Sequence, residues 1–265
     1  MKINIAILAI VAAAGLIQTA GADTIQGRVL SASTGYGQGN TGGYRHQFWG
    51  GTGEAARFNT GTSQADASEV RGFCVDRNFL NESVNTYTLV SVQNAPVLPN
   101  QGNAGGLYTA VGENRLNAIA KAGLAMGILD SRGFLEASFT TGNAANNLTI
   151  NSVTTTRARW VEAFQKLAWE SLYEADGAGL AWNLTGGAYT NAASSAAAST
   201  AIQTAASGFL NSGILVRVLG VQGSSADQGQ DMLVLVPLPP AAWAGLSTMA
   251  GVFGLAYIRR RKQLA

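Results

Sequence analysis

The sequence predicts an α+β fold in which a β core, either a sandwich or a barrel, carries an inserted helical lobe. Segments with strand propensity occur in the first part of the chain and again near its end, and helical periodicity lies between them. Glycine supplies 33 of the 265 residues, which favours a β structure rich in loops. Strands, then helices, then strands are the order typical of an α+β domain.

The first four strands are predicted where β-branched and aromatic residues stand between glycine-rich turns. They cover residues 24–30, 46–49, 72–76 and 87–92.

Two helices are predicted in the middle of the chain. In residues 114–129 apolar and small residues recur at three-and-four spacing, despite several glycines. In residues 156–175 large apolar residues recur every fourth position, and glutamates occupy other positions, as in an amphipathic helix. The apolar stripe consists of Trp160, Phe164, Ala168 and Leu172, and the glutamates are Glu162, Glu170 and Glu174.

The Ala/Ser/Thr-rich stretch 191–207 is either a helix or a flexible connector. We favour a helix because Ile202 and Phe209 offer apolar anchors. Residues 214–221 and 231–236 are predicted as the last strands.

Both ends of the chain have the composition of targeting segments. Lys2 precedes an apolar run and a small-residue site that ends at residue 22, which is the order of a secretory signal peptide. Residues 241–258 carry no charge and are followed at once by a basic cluster, so they are long enough to span a bilayer as a single transmembrane helix. We therefore expect residues 1–22 to be removed and residues 23–235 to form the exported domain.

The C-terminal 30 residues combine three features in order: a proline-bracketed motif, the apolar segment and the basic cluster. The motif comprises Val236, Pro237, Leu238 and Pro239. This order resembles a PEP-CTERM sorting signal of the VPLPA type, with Pro240 in place of the alanine. The resemblance implies that residues 236–265 are recognised by an exosortase-type enzyme of a Gram-negative envelope, after a transient stay in the inner membrane. A plain membrane anchor is the alternative.

Composition excludes several classes of function. Without Lys2 and the four basic residues at the C-terminus, 12 of the 17 basic residues remain against 15 acidic ones, so the body lacks the basic excess of a nucleic-acid-binding protein. One cysteine and one histidine, His46, do not suffice for a Cys/His zinc site. We expect no metal, no cofactor and no turnover enzyme. A hydrolase that uses His46 is the weakest of three hypotheses, because we expect His46 to be an ordinary surface or cleft residue.

Cys74 is the unusual residue of this chain. In an exported protein it has no second cysteine with which to form an intramolecular disulfide. Three interpretations are open: a small buried core residue, a cross-link to another chain, or a covalent bond to a group other than sulfur.

The sequence FCVD at residues 73–76 and the sequence FQKLAW at residues 164–169 favour the third interpretation. Together they resemble the two motifs of bacterial surface thioester domains, which join a cysteine to a glutamine. The resemblance implies an internal thioester between Cys74 and Gln165, and it covers about residues 24–235. The supporting motif residues are Phe73, Asp76, Phe164 and Trp169.

The chemistry of the two side chains agrees with that resemblance. A thiolate that attacks the glutamine carboxamide expels ammonia and leaves an acyl–sulfur bond, provided that the fold holds both groups at attack distance. Trp169 follows Gln165 by one helical turn, so its indole can shield the bond from water. The expected function is adhesin-like: covalent attachment to amine or hydroxyl groups on a partner surface or matrix. The alternative is a non-reactive structural surface protein with the same sorting signal.

Overall fold

The computed structural model describes residues 23–31, 44–75, 83–95, 110–140, 146–173, 195–213, 215–221 and 231–236. The chain is a mixed α+β protein, as the sequence predicts, and its six-stranded sheet is antiparallel. The predicted signal peptide and the predicted transmembrane segment lie outside the described residues.

A six-stranded sheet forms the β part of the molecule. Its strands are β1 (Thr24–Ser31), β2 (Tyr44–Trp49), β3 (Val70–Gly72), β4 (Asn85–Val90), β7 (Val216–Val221) and β8 (Met232–Leu235). They lie in the order β3-β2-β1-β4-β7-β8, and every neighbouring pair is antiparallel. A separate hairpin consists of β5 (Asn147–Ile150) and β6 (Val153–Thr156).

Among the described residues, four helices follow β4 in the chain and precede β7. They are α1 (Ala110–Ala125), α2 (Ala137–Thr140), α3 (Arg157–Tyr173) and α4 (Ala196–Ser207). The Ala/Ser/Thr-rich stretch is thus helical from residue 196, and Ile202 is fully buried. Two short 3-10 helices cover Gly53–Phe58 and Val92–Asn94.

The residues that follow β3, the first strand of the sheet order, are joined by backbone hydrogen bonds to β8, the last strand, and to Asp231 before it. Leu233 N–H donates to the Phe73 carbonyl at 2.9 Å, and Val75 N–H donates to the Asp231 carbonyl at 2.9 Å. Cys74 lies opposite Met232 in this isolated bridge. We call residues 73–75 and β8 the seam. The prediction of a continuous strand over residues 72–76 was wrong, because β3 ends at Gly72 and only Cys74 continues the pairing.

Two apolar clusters stabilise this arrangement. One lies between the sheet and the helices and includes residues of α1, α3 and α4 together with Phe73, Val216 and Leu233. The other lies among the strands and includes Ile25, Phe48, Tyr87, Phe134 and Met232.

Helix α1 ends four residues earlier than the sequence predicts. Gly127 has a φ of +68°, Ile128 N–H bonds to the Gly123 carbonyl at 2.8 Å, and Gly127 N–H bonds to the Leu124 carbonyl at 3.1 Å. This is a Schellman ending, which needs a residue in the left-handed region. Leu124, one of the apolar residues that recur in the predicted helix 114–129, is exposed.

Helix α3 is buried on more than one face, so the prediction of an amphipathic helix was wrong. Its predicted apolar stripe is buried, but Glu162 and Glu170 are also about 1% exposed. It packs against α1 and α4, and the Trp160 indole N–H donates to the Leu148 carbonyl of the β5–β6 hairpin. The sequence analysis missed this hairpin.

Candidate functional site

The carboxamide of Gln165 is hydrogen-bonded to the main chain of Cys74. Cys74 N–H donates to Gln165 Oε1 at 3.0 Å, and Gln165 Nε2 donates to the Cys74 carbonyl at 2.8 Å. The two residues are 91 positions apart in the chain, and both are buried, at 1% and 0% exposure. The fold therefore brings together the two residues that the sequence analysis paired.

The seam explains why the main chain of Cys74 is available to a side chain. Successive peptide groups in a strand point to opposite edges, so the bonds of Phe73 and Val75 to β8 leave the N–H and carbonyl of Cys74 facing the other way. On that side, the described pairing of β2 with β3 ends at Tyr44 opposite Gly72. Gln165 supplies the donor and the acceptor that a residue of a further strand would supply. The buried N–H and carbonyl of Cys74 are therefore both hydrogen-bonded.

Two phenylalanines fix the contact between the motif segments. The ring centroids of Phe73 and Phe164 are 4.3 Å apart with an interplanar angle of 41°, and both side chains are fully buried. Each ring is adjacent in sequence to a member of the Cys74–Gln165 pair. Trp169, one turn after Gln165, is 5% exposed. Asp76 lies outside the described residues.

The two hydrogen bonds fix the orientation of the Gln165 carboxamide. The carboxamide lies along the hydrogen-bonding edge of residue 74, whereas a strand side chain stands roughly perpendicular to the plane of the sheet. The Cys74 N–H on Oε1 polarises the carbonyl and stabilises negative charge there, as an oxyanion donor does.

A buried charge cluster lies beside this pair on α3, and the sequence analysis missed it. Glu162 receives Arg159 Nη1 at 2.7 Å on one carboxylate oxygen and Lys166 Nζ at 2.9 Å on the other. The spacing of three and four residues was visible in the sequence and is the usual spacing of helical ion pairs. These contacts allow the carboxylate to be buried at the position before Ala163 and Phe164.

His46 is fully buried on β2, not on a surface or in a cleft as expected. Its Nδ1 lies 3.1 Å from the Tyr44 carbonyl, and its ring stacks on Phe48 with centroids 5.7 Å apart. Its Nε2 has no hydrogen-bond partner among the described residues. Burial lowers the pKa of His46 to about 4, so the imidazole is neutral at pH 7. An imidazole with a pKa of about 4 is a weak general base at pH 7, which disfavours a hydrolase that uses His46.

A cavity of about 420 Å³ lies near the N-terminal end of β3, away from Cys74. It is lined by Glu69, Val70 and Arg71, by residues 130, 132 and 134–136 of the connection between α1 and α2, and by Ala137 at the start of α2. Arg132 pairs with Asp130 at 3.0 Å, and Arg71 pairs with Glu69 at 3.4 Å. A hydrogen bond from Arg45 lowers the pKa of Glu69. Most of the charge in this cavity is therefore already compensated.

The predicted sorting motif is described only at its first residue. Val236 is buried, and its N–H donates to the Leu215 carbonyl at 2.8 Å. Pro237, Leu238 and Pro239 lie outside the described residues. Within the described ranges, no helix has the length and apolar character needed to cross a membrane.

Comparison with known proteins adds no relative to this description. No protein-family model, no curated protein and no solved structure matches the chain.

Proposed function

We propose that this protein is an exported surface protein that forms an internal thioester between Cys74 and Gln165 and uses it for covalent attachment. The contact between the Gln165 carboxamide and the main chain of Cys74 supports the proposal, with bonds of 3.0 and 2.8 Å. Two residues separated by 91 positions meet in a buried environment, and they are the two residues of the motifs resembling a thioester domain.

The formation step needs only the two side chains. Cys74 Sγ attacks the Gln165 side-chain carbonyl carbon, the Sγ–C bond forms, and the C–Nε2 bond breaks. The thiol proton is transferred to the leaving nitrogen, so the products are the thioester and one ammonia. The Cys74 N–H stabilises the developing charge on Oε1. Burial of both residues excludes water, which would otherwise hydrolyse the bond.

The thioester is an electrophile that reacts once. A primary amine of a partner attacks the acyl carbon, an amide forms with the Gln165 side chain, and the Cys74 thiol is released. We propose that the partner is a surface or matrix component that carries amine or hydroxyl groups. We further propose that the signal peptide exports the protein, that an exosortase-type enzyme processes its C-terminal segment, and that the seam closes the sheet into a barrel carrying the helical lobe.

The intact mass of the purified protein tests this function. The mass of the wild-type protein should be one ammonia below the mass calculated from its sequence. Treatment with a small primary amine should then raise it by the mass of one amine molecule. The matched Cys74→Ala variant should have its calculated mass before and after the treatment. A wild-type protein with its full calculated mass would contradict the proposal.

A second candidate function is that of a non-reactive surface protein. The same hydrogen bonds favour it, because Gln165 satisfies the buried donor and acceptor of Cys74 without any reaction. Titration of free thiols in the folded and the unfolded protein separates the two functions. One titratable thiol per molecule after unfolding, in a protein never exposed to amines, would identify the non-reactive form.

A further inference from the structure

Helix α1 lies close to Phe164, the residue before Gln165, at a glycine. A Cβ placed on Gly123 would lie 2.5 Å from Cε2 of Phe164 and 3.1 Å from Cδ1 of Leu129. Contacts below 3.0 Å do not occur for real Cβ atoms, so the Phe164 ring occupies the space that any other residue at position 123 would need.

The glycine has no backbone reason to be at this position. Gly123 is in the last turn of α1 and has no positive φ, and alanine is favoured over glycine inside a helix by about 1 kcal/mol. Its carbonyl accepts the Schellman bond from Ile128, which any residue could do. The lack of a side chain therefore serves the close approach of Phe164.

Phe164 connects Gly123 structurally to Cys74 and Gln165. Its ring packs at 4.3 Å on Phe73, which precedes Cys74, and its own main chain leads directly into Gln165. Displacing the ring moves α3 relative to the seam and lengthens the bonds between Gln165 and Cys74. On this ground we infer that Gly123 is a positioning residue for thioester formation, an inference that rests on the function proposed above.

The test uses Gly123→Ala and a matched control. Gly27→Ala is the control, because a Cβ at Gly27 would also lie 2.5 Å from a phenylalanine ring, that of Phe48, but in the other apolar cluster. The rate at which newly synthesised full-length protein loses ammonia is followed by intact mass. Because a misplacement of about 1 Å can cost about 100-fold in rate, we expect a loss of this order for Gly123→Ala. We expect the wild-type rate for folded Gly27→Ala protein.

A double-mutant cycle with Phe164→Leu distinguishes positioning from general instability. Leucine lacks the ring atom that meets the added Cβ, so Gly123→Ala should have little effect on the rate in the Phe164→Leu background. If Gly123→Ala has the wild-type rate, if Gly27→Ala is slowed equally, or if the slowing persists with Phe164→Leu, the positioning role is wrong while the thioester stands.

Amide exchange gives a readout that does not depend on the reaction. In the unreactive Cys74→Ala background, the N–H of residue 74 still faces Gln165 Oε1, whereas Val75 N–H bonds to Asp231. Adding Gly123→Ala should accelerate exchange at residue 74 about tenfold relative to Val75, the effect of losing one hydrogen bond. An unchanged ratio would overturn the positioning role, even if the wild-type protein forms no thioester.

Discussion

At the scale of single residues, Gln165 and His46 are both buried polar side chains, and their surroundings differ. The carboxamide of Gln165 has both of its ends hydrogen-bonded to Cys74. The imidazole of His46 has one nitrogen near the Tyr44 carbonyl and the other without a partner among the described residues. The first arrangement satisfies buried groups, whereas the second makes the folded state sensitive to protonation.

Acid should therefore destabilise the protein through His46. Its pKa is about 4 in the folded chain against 6.5 for an ordinary histidine, so the unfolded chain binds the proton more readily. The free energy of unfolding should therefore be unaffected by protonation of His46 above about pH 6.5. It should fall by about 3 kcal/mol as the pH is lowered from 6.5 to 4. Urea unfolding between pH 4 and pH 7 measures this loss.

His46→Phe is the control for this pH dependence, because phenylalanine keeps an aromatic ring against Phe48 and cannot titrate. The variant should have a flatter dependence of the free energy of unfolding over the same pH range. Equal slopes for the two proteins would show that His46 does not titrate with the expected pKa.

The pairing of Cys74 with Gln165 could be predicted from the sequence, whereas its geometry could not. The paired motifs identified the residues, but the two hydrogen bonds depend on the seam, which forms between segments more than 150 positions apart. Burial of His46 was missed because a single histidine in a strand carries no sign of which face it occupies. Only the register of β2 with its neighbours shows that Tyr44, His46 and Phe48 share the buried face.

At the scale of elements, the strand and helix types were mostly predictable and their ends were not. Strand residues alternate and helical residues recur every three or four positions, which identified β1, β2, β7 and α3. The β5–β6 hairpin was missed because its turn uses Asn151 and Ser152 at φ of 49° and 65°, without the glycine that usually marks such a turn. Helix α3 is buried on several faces because other elements pack around it. Its own sequence pattern does not show how many elements will do so.

The stability of the C-terminal end of α1 should depend on the φ angle of Gly127. A Cβ on Gly127 would meet no atom within 4 Å, so Gly127→Ala introduces strain without a clash. At a φ of +68° this strain should lower the free energy of unfolding by about 1 kcal/mol. Chemical denaturation measures the change.

Gly127→Asn is the matched comparison, since asparagine adopts the left-handed conformation more readily than alanine. It should cost less than Gly127→Ala. If both variants are as stable as the wild type, the Schellman ending does not contribute to stability.

At the scale of the whole molecule, the connection between α1 and α2 links the helices to the interior of the strands. Asp130 orients this connection: its carboxylate accepts the backbone N–H groups of Arg132 and Phe134 at 2.8 and 2.9 Å. The Phe134 side chain is 1% exposed, and its ring centroid lies 6.1 Å from the ring centroids of both Phe48 and Phe58. A residue between two helices thus completes the core among the strands.

Phe134→Ala should consequently destabilise the entire domain. Removal of a buried phenylalanine ring costs about 3 to 5 kcal/mol, because it loses apolar burial and leaves a cavity. Thermal unfolding followed by far-ultraviolet circular dichroism and by tryptophan fluorescence measures this loss. Both signals should shift together, because strands and helices share this contact.

Glu136→Gln is the control, because Glu136 lies on the same connection but is only partly buried, whereas Phe134 is buried in the core. It should unfold at nearly the wild-type temperature. A loss of only one of the two signals in Phe134→Ala would show that the strands and the helices unfold separately.

The position of Cys74 opposite β8 also determines how the molecule bears load. Val236 continues directly from β8, so tension applied beyond it enters the domain through that strand, which is held by β7 on one side and by residues 73–75 on the other. Hydrogen bonds on both flanks are then pulled along the strand axis and resist together, as in shear, not one after another, as in unzipping. Under the proposed function, a ligand joined to Gln165 would pull on α3 beside Cys74, so the route of force from the ligand to the C-terminal end of β8 would be short.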